Sequence, residues 1–161
     1  MPEQTITELK EGEIAPDFTA LTDEGTELTL SDLRGQRVVL FFYPKDDTPG
    51  CTIESCEFRD AHPRFVAQDA VVLGVSPDDV RSHQKFRKKF DLPFTLIVDE
   101  GHRIADQYGT WGPKTLFGVK YTGTLRTTFV IDREGRIARI FRHVKPKGHA
   151  EEVGEALAGI P

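Results

Sequence analysis

Four short apolar runs constrain this chain more than anything else in it. Residues 37–43 (RVVLFFY), 70–75 (AVVLGV), 95–98 (TLIV) and 127–131 (TTFVI) are rich in β-branched and aromatic residues. Runs this short and this continuously apolar read as strands buried on both faces. Helical patterns fall between them. Residues 49–68 have helix character, interrupted at His62-Pro63 because the residue before a proline avoids the α region. Residues 78–90 are amphipathic and open at Pro77-Asp78, residues 102–108 end at Gly109, and residues 149–158 close the series. Alternation of this kind predicts an α/β protein, a central mixed β-sheet flanked by helices on both faces. Asp23-Glu24-Gly25, between residues 18–21 and 26–30, signals an N-terminal hairpin, and Arg133-Glu134-Gly135 signals another near the C-terminus. No Gly-, Ser- or Pro-rich linker interrupts the pattern, so residues 1–161 are expected to form one domain, long enough for a full core. Residues 109–124 (GTWGPKTLFGVKYTGT) are the one long irregular segment. Such loops are often functional; the plainer alternative is a surface excursion pinned by Trp111.

The charge balance, 21 basic against 26 acidic residues and a net −5, leaves no electrostatic footprint for nucleic acid. The small basic cluster Arg87-Lys88-Lys89 reads as the solvated face of a helix. The opening MPEQTITELKEGE has no basic segment followed by an apolar core, so no secretory signal is expected. No apolar run approaches the roughly 20 residues of a membrane span. A cytoplasmic protein is the expectation. In that reducing compartment the two cysteines are a poor structural disulfide, and they are too few for a thiolate zinc site.

Both cysteines lie in one stretch, PKDDTPGCTIESCEFRD, residues 44–60. Thr48 is a good N-cap and Pro49 a favoured first helical residue, which puts Cys51 at the third position of the helix. A side chain there can reach back among unpaired backbone N–H groups at the positive helix end. That environment favours the thiolate, the reactive form of cysteine, and Gly50 leaves room for a small molecule. The bland alternative for Cys51 is a small buried hydrophobe. The spacing argues further. Positions i and i+5 on an α-helix have Cα atoms about 8.6 Å apart, from a rise of about 7.5 Å and a radius of about 2.3 Å. A disulfide needs roughly 4.4–6.8 Å. Cys51 and Cys56 can therefore join only if the first turns unwind, unlike the C-x-x-C of thioredoxin-like oxidoreductases.

Pro44, Thr48 and Cys51, as P-x-x-x-T-x-x-C, resemble the active-site signature of the peroxiredoxins. The fuller FYPKDDTPGCTIESCEFRD resembles their bacterioferritin comigratory protein, or peroxiredoxin Q, subfamily. Gly12–Phe18 (GEIAPDF), Leu33-Arg34-Gly35 and residues 109–132, with Trp111, Gly118, Gly123 and Arg126, are similar to further family segments. The resemblance implies a thioredoxin-like fold with an N-terminal β-hairpin extension. It implies a thiol peroxidase acting on hydrogen peroxide and organic (alkyl) hydroperoxides, with Cys51 peroxidatic and Cys56 resolving. Thr48 and Arg126 correspond to the residues that bind and activate peroxide, and Pro44 to the one that shields the site from water. The Cys51 sulfenic acid would condense with Cys56, and thioredoxin would reduce the disulfide. The sequence itself shows no cofactor motif. Because the resolving cysteine is intramolecular, a monomer is expected.

Three sets of neighbours carry two readings each. Glu54 either orients Arg126 by a charge-assisted bond or is a solvated acid of the first helical turn. Trp111 and Phe117 either rim the site for organic peroxides or pack in the core, and core packing is expected. His62 and His83 could bind metal, but nothing in the sequence gives them tetrahedral company. Two other functions compete with the peroxidase: a general disulfide oxidoreductase, disfavoured by the missing C-x-x-C, and a non-enzymatic redox switch.

Overall fold

The computed structural model describes residues 8–160; the first seven residues of the polar N-terminal segment lie outside that range. The elements in chain order are β1 (Thr19–Leu21), β2 (Glu27–Thr29), a 3₁₀ turn (Leu30–Leu33), β3 (Arg37–Phe42), α1 (Pro49–Ala67), β4 (Ala70–Ser76), α2 (Val80–Phe90), β5 (Thr95–Val98), α3 (Arg103–Gln107), β6 (Trp111–Leu116), β7 (Val119–Thr124), β8 (Thr127–Ile131), β9 (Ile137–Phe141) and α4 (His149–Ala158). The central sheet has the order β5-β4-β3-β8-β9. β3, β4 and β5 are parallel, and β8 and β9 turn antiparallel to their neighbours. The sheet is therefore mixed, as the element order predicted.

The period-2 geometry of β3 sorts its apolar run between two cores. Val38, Leu40 and Phe42 face a core with Ile97, Ile104, Tyr108 and Phe129, closed by Phe18, Ala20 and Leu30 from the N-terminal hairpin. Val39, Phe41 and Tyr43 face a second core with Phe58 and Phe65 of α1, Phe86 of α2, and Val153 and Leu157 of α4. Phe41 stacks on Phe58 at 4.7 Å and on Tyr43 at 5.5 Å. The stack needs Gly74 beneath it, since a Cβ there would come within 2.9 Å of both the Phe41 ring and Leu96. The β1–β2 hairpin is tied to the β5 edge, where the Asp23 amide donates to Leu96 O at 2.9 Å.

Three local expectations need correction. The helix from Pro49 is not interrupted at His62-Pro63: Pro63 sits within α1 on its exposed side. One proline forfeits one backbone bond there, while Phe58 and Phe65, both buried, hold the helix to the core on either side. Residues 109–124 are not irregular but contain the β6–β7 hairpin, separate from the main sheet. Its two-residue turn, Phe117-Gly118, has positive φ at both positions, as a primed turn requires. A phenylalanine in place of the usual asparagine or aspartate hid it. Third, only Lys88 and Lys89 of the basic cluster are solvated; half-buried Arg87 pairs with Asp23 at 3.0 Å and ties α2 to the first hairpin. Among the described residues no helix is long and apolar enough to cross a membrane.

Candidate active site

The β3 strand delivers the chain to Tyr43, and a loop from Pro44 to Asp47 leads into α1. Asp47 adopts φ 58°, so the chain turns sharply there. Thr48 is the N-cap with extended backbone, and Pro49 the first helical residue. Cys51 therefore lies at the third helical position, as expected. Its side chain is fully buried and belongs to the core beneath α1.

Arg126, in the short link between β7 and β8, reaches this helix start from the neighbouring part of the sheet. One guanidinium nitrogen, Nη2, donates to Cys51 Sγ at 3.2 Å, and Nη1 donates to Glu54 Oε1 at 2.6 Å. Arg126 thus bridges a sulfur and a carboxylate one helical turn apart on α1. The alternative of a solvated Glu54 is wrong, because only 1 % of the residue is exposed. Burial pushes its carboxyl up to about 7, against the pull of the Arg126 charge and hydrogen bond. Arg126 itself is held above its ordinary range: burial opposes its charge, and Glu54 and Cys51 more than compensate.

A Cβ at Gly50 would lie 3.3 Å from Arg126 Nη2 and 3.5 Å from Pro146 Cγ. The missing side chain makes room for the guanidinium. Thr48 differs from expectation. Its hydroxyl donates to the Lys45 carbonyl at 2.8 Å and makes no cap bond to the helix. A carbonyl can only accept, so Thr48 Oγ1 offers lone pairs to its other neighbours.

Cys56 lies further along the same unbroken helix, half-buried, and both thiols are free. Burial pushes the Cys56 thiol up. Pro44 is half-buried between Tyr43 and the loop. Trp111 is half-buried, packs against the first core and stacks on His102 at 4.0 Å. Phe117 is 95 % exposed, which overturns core packing for it. It sits at the turn of the β6–β7 hairpin, roughly 17 Å along the strands from Thr124 at about 3.4 Å per residue. His62 is half-buried, and burial pulls its pKa down. His83, by contrast, does have company that sequence could not supply: ligand-type atoms of Asp46, Asp78 and His83 lie within 4.8 Å of one another. Lys114 was also missed. Its Nζ donates to Thr124 O at 2.7 Å, and it is held below its usual range by burial and by the Arg126 charge, with Cys51 acting the other way. Nothing in the sequence around residue 114 marks it, because the contact depends on the β6–β7 register.

Comparison with known proteins bears on the chain as a whole. Residues 12–140 match the AhpC/TSA family model. Peroxiredoxin Bcp of Bacillus subtilis strain 168 is 48 % identical over 146 residues, covering 91 % of this chain and 93 % of that protein. Peroxiredoxin Bcp of Escherichia coli K12 is 40 % identical over 145 residues, covering 90 % and 93 %. Among solved structures, peroxiredoxin Q of Xanthomonas campestris superposes with TM-score 0.83 at 36 % identity, covering 88 % of this chain and 89 % of that one. Peroxidoxin BcpB of Mycobacterium tuberculosis gives 0.84 at 34 % identity, covering 95 % and 99 %. Likeness of this degree along nearly the whole length places the chain in the AhpC/TSA family, as a peroxiredoxin of the Bcp, or peroxiredoxin Q, type with a thioredoxin-like fold.

Proposed function

We propose that the chain reduces hydrogen peroxide and alkyl hydroperoxides through a Cys51 sulfenic acid and an intramolecular Cys51–Cys56 disulfide. The observation that carries the reading is the Arg126 bridge between Cys51 Sγ and Glu54. A guanidinium donating to sulfur sets a fixed positive charge against the reacting atom, and a charged donor makes the stronger kind of hydrogen bond. The thiolate attacks one peroxide oxygen and the O–O bond breaks. The second oxygen leaves as hydroxide or alkoxide and takes a proton. Negative charge moves from sulfur to the departing oxygen, and the fixed Arg126 cation and the Cys51 N–H at the helix start lower that barrier. Thr48 Oγ1 accepts the hydroperoxide O–H and orients it, and Pro44 limits water. Glu54 holds Arg126 in place.

The Cys56 thiol then displaces the sulfenic oxygen as water, forming the disulfide once the first turns of α1 unwind. An external dithiol, thioredoxin in this reading, takes the disulfide back to two thiols. The chain acts as one domain and one monomer in the cytoplasm. Support for organic substrates comes from a relative: one similar structure, of the Xanthomonas campestris bacterioferritin comigratory protein, concerns that protein's alkyl peroxide reduction activity.

Stopped-flow mixing of the reduced protein with one equivalent of hydrogen peroxide tests the cycle. Fast loss of both thiols, a two-hydrogen fall in intact mass and no covalent dimer are expected. Thiols that persist for minutes would mean that Cys51 is not activated.

A further inference from the structure

A buried polar network grips the loop between β3 and α1, and the chemistry above gives it no task. Asp46 is only 7 % exposed. Its Oδ1 accepts the Tyr43 hydroxyl at 2.6 Å, and its Oδ2 accepts Ser82 Oγ at 2.8 Å and His83 Nδ1 at 2.7 Å. Its backbone N–H donates to Asp78 Oδ2 at 2.8 Å, and that oxygen also accepts Ser76 Oγ at 2.7 Å. His83 is fully buried, with Nε2 at 2.8 Å from the Ile97 carbonyl. Both ring nitrogens lie within hydrogen-bond distance of oxygens, an arrangement that suits the doubly protonated ring. The polar groups around it are Asp46 from the loop, Asp78 ahead of α2, and the Ile97 carbonyl of β5. Burial works against the ring's charge, and these groups together outweigh it, lifting the His83 pKa. These bonds make the Asp46–Asp78–His83 cluster a connected hydrogen-bond network.

The network acts on a single peptide group. The Lys45–Asp46 bond is trans, so its N–H and its C=O point to opposite sides. Asp78 holds the N–H, and the C=O accepts the Thr48 hydroxyl at 2.8 Å. Rotating this peptide would cost Asp78 its donor and Thr48 its acceptor at once.

We propose that Asp78 is a positioning residue for the peroxidase reaction: by fixing the Lys45–Asp46 peptide, it commits the Thr48 hydrogen to Lys45 and leaves Thr48 Oγ1 as the acceptor for the hydroperoxide O–H. The proposal rests on the placement of Thr48 in the peroxide site given above. Asp78 is half-buried in the turn before α2, so its replacement leaves both cores intact.

The test is a double-mutant cycle on full-length protein. The second-order rate with tert-butyl hydroperoxide is measured for wild type, Asp78→Ala, Asp78→Asn, Thr48→Val and Thr48→Val/Asp78→Ala. Alkylation of Cys51 by iodoacetamide is followed alongside, in a Cys56→Ser background. Asp78→Ala is expected to slow the peroxide reaction about tenfold, the size of one lost anchoring bond. Alkylation should be unchanged, because it involves no hydroperoxide O–H. Asp78→Asn should recover most of the rate, its amide oxygen still accepting from Asp46. In the Thr48→Val background Asp78→Ala should add nothing. A wild-type rate for Asp78→Ala, an alanine loss that multiplies with the valine loss, an asparagine variant as slow as the alanine one, or a parallel drop in alkylation overturns the proposal. A wild-type rate for Thr48→Val instead overturns the placement of Thr48 itself.

Discussion

Glu54→Gln is a perturbation whose size follows from the structure. The carboxyl is 1 % exposed, with Oε1 bonded to Arg126 and Oε2 without a partner. Burial raises its pKa from 4.5 to about 7, with Arg126 opposing and Glu57 adding to the rise. Between those two values the native state keeps a proton that the unfolded chain has released. Stability therefore falls as pH rises through that window and is flat above it. The window spans about 2.5 pH units, and at about 1.4 kcal/mol per unit the loss is on the order of 3 kcal/mol. Glutamine keeps the shape and cannot titrate, so the variant lacks this slope. Urea unfolding under reducing conditions, from pH 4.5 to pH 8, should show the glutamine variant gaining on wild type by that amount and then running parallel to it. A gap independent of pH would mean that the Arg126 pair keeps Glu54 ionised throughout. The desolvation argument would then be refuted.

Three further outcomes are expected. Arg126→Ala removes the donor to Cys51 Sγ and should slow the peroxide step by about 2–4 kcal/mol in barrier, as loss of an oxyanion donor does; an unchanged second-order rate would take Arg126 out of the site. Cys56→Ser should react once and stop, with an intact mass one oxygen heavier than the reduced form; efficient recycling with thioredoxin would show that Cys56 does not resolve. His83 has a raised pKa, so the stability it contributes is whole below its unfolded value near 6.5 and is lost as pH rises through the higher folded value. The stability gap between wild type and His83→Asn should accordingly shrink as pH rises above about 6.5, and a constant gap would show that the protonated ring contributes nothing.

The strands and the helix start were legible because their signals are local. An apolar run such as VVLFF cannot satisfy both sheet faces anywhere but between two cores, and Thr48-Pro49 announces a helix whose third residue is Cys51. The β6–β7 hairpin was not legible, since Gly112, Pro113 and Gly123 read as breakers and the turn carries phenylalanine. Arg126 could be chosen among the arginines only by resemblance: its meeting with Cys51 spans 75 residues and depends on sheet order. The same holds for Asp46, Asp78 and His83. In sequence they are a loop acid, an acid beside a helix cap and a histidine on an amphipathic helix. Only the parallel pairing of β3 with β4 and β4 with β5 brings their carriers together.

The spacing of the cysteines acquires a physical basis from how unevenly α1 is held. Beyond Ser55 the helix is fixed by Phe58 and Phe65 in the core, by Arg59 donating to Phe90 O at 2.8 Å and by Gln68 donating to Gly154 O at 3.2 Å. None of these contacts is lost if only the first two turns open. Those turns bury two polar atoms that find no partner among the described residues, Glu54 Oε2 and Ser55 Oγ. A buried polar group left unpaired costs about 1–3 kcal/mol, so unwinding returns that much per group by rehydration, against the exposure of Cys51 and the loss of the Arg126 bonds to Cys51 and Glu54. The opening that the proposed disulfide requires is thus confined to a short segment at the helix start, as local unfolding generally is. Cys56 stands at its boundary. While α1 is intact, burial keeps the Cys56 thiol pKa raised and so favours the protonated, less nucleophilic form. In the proposed cycle, unwinding relieves that burial in the same motion that brings Cys56 within reach of Cys51, so the thiol proposed to resolve gains reactivity only when the geometry can use it.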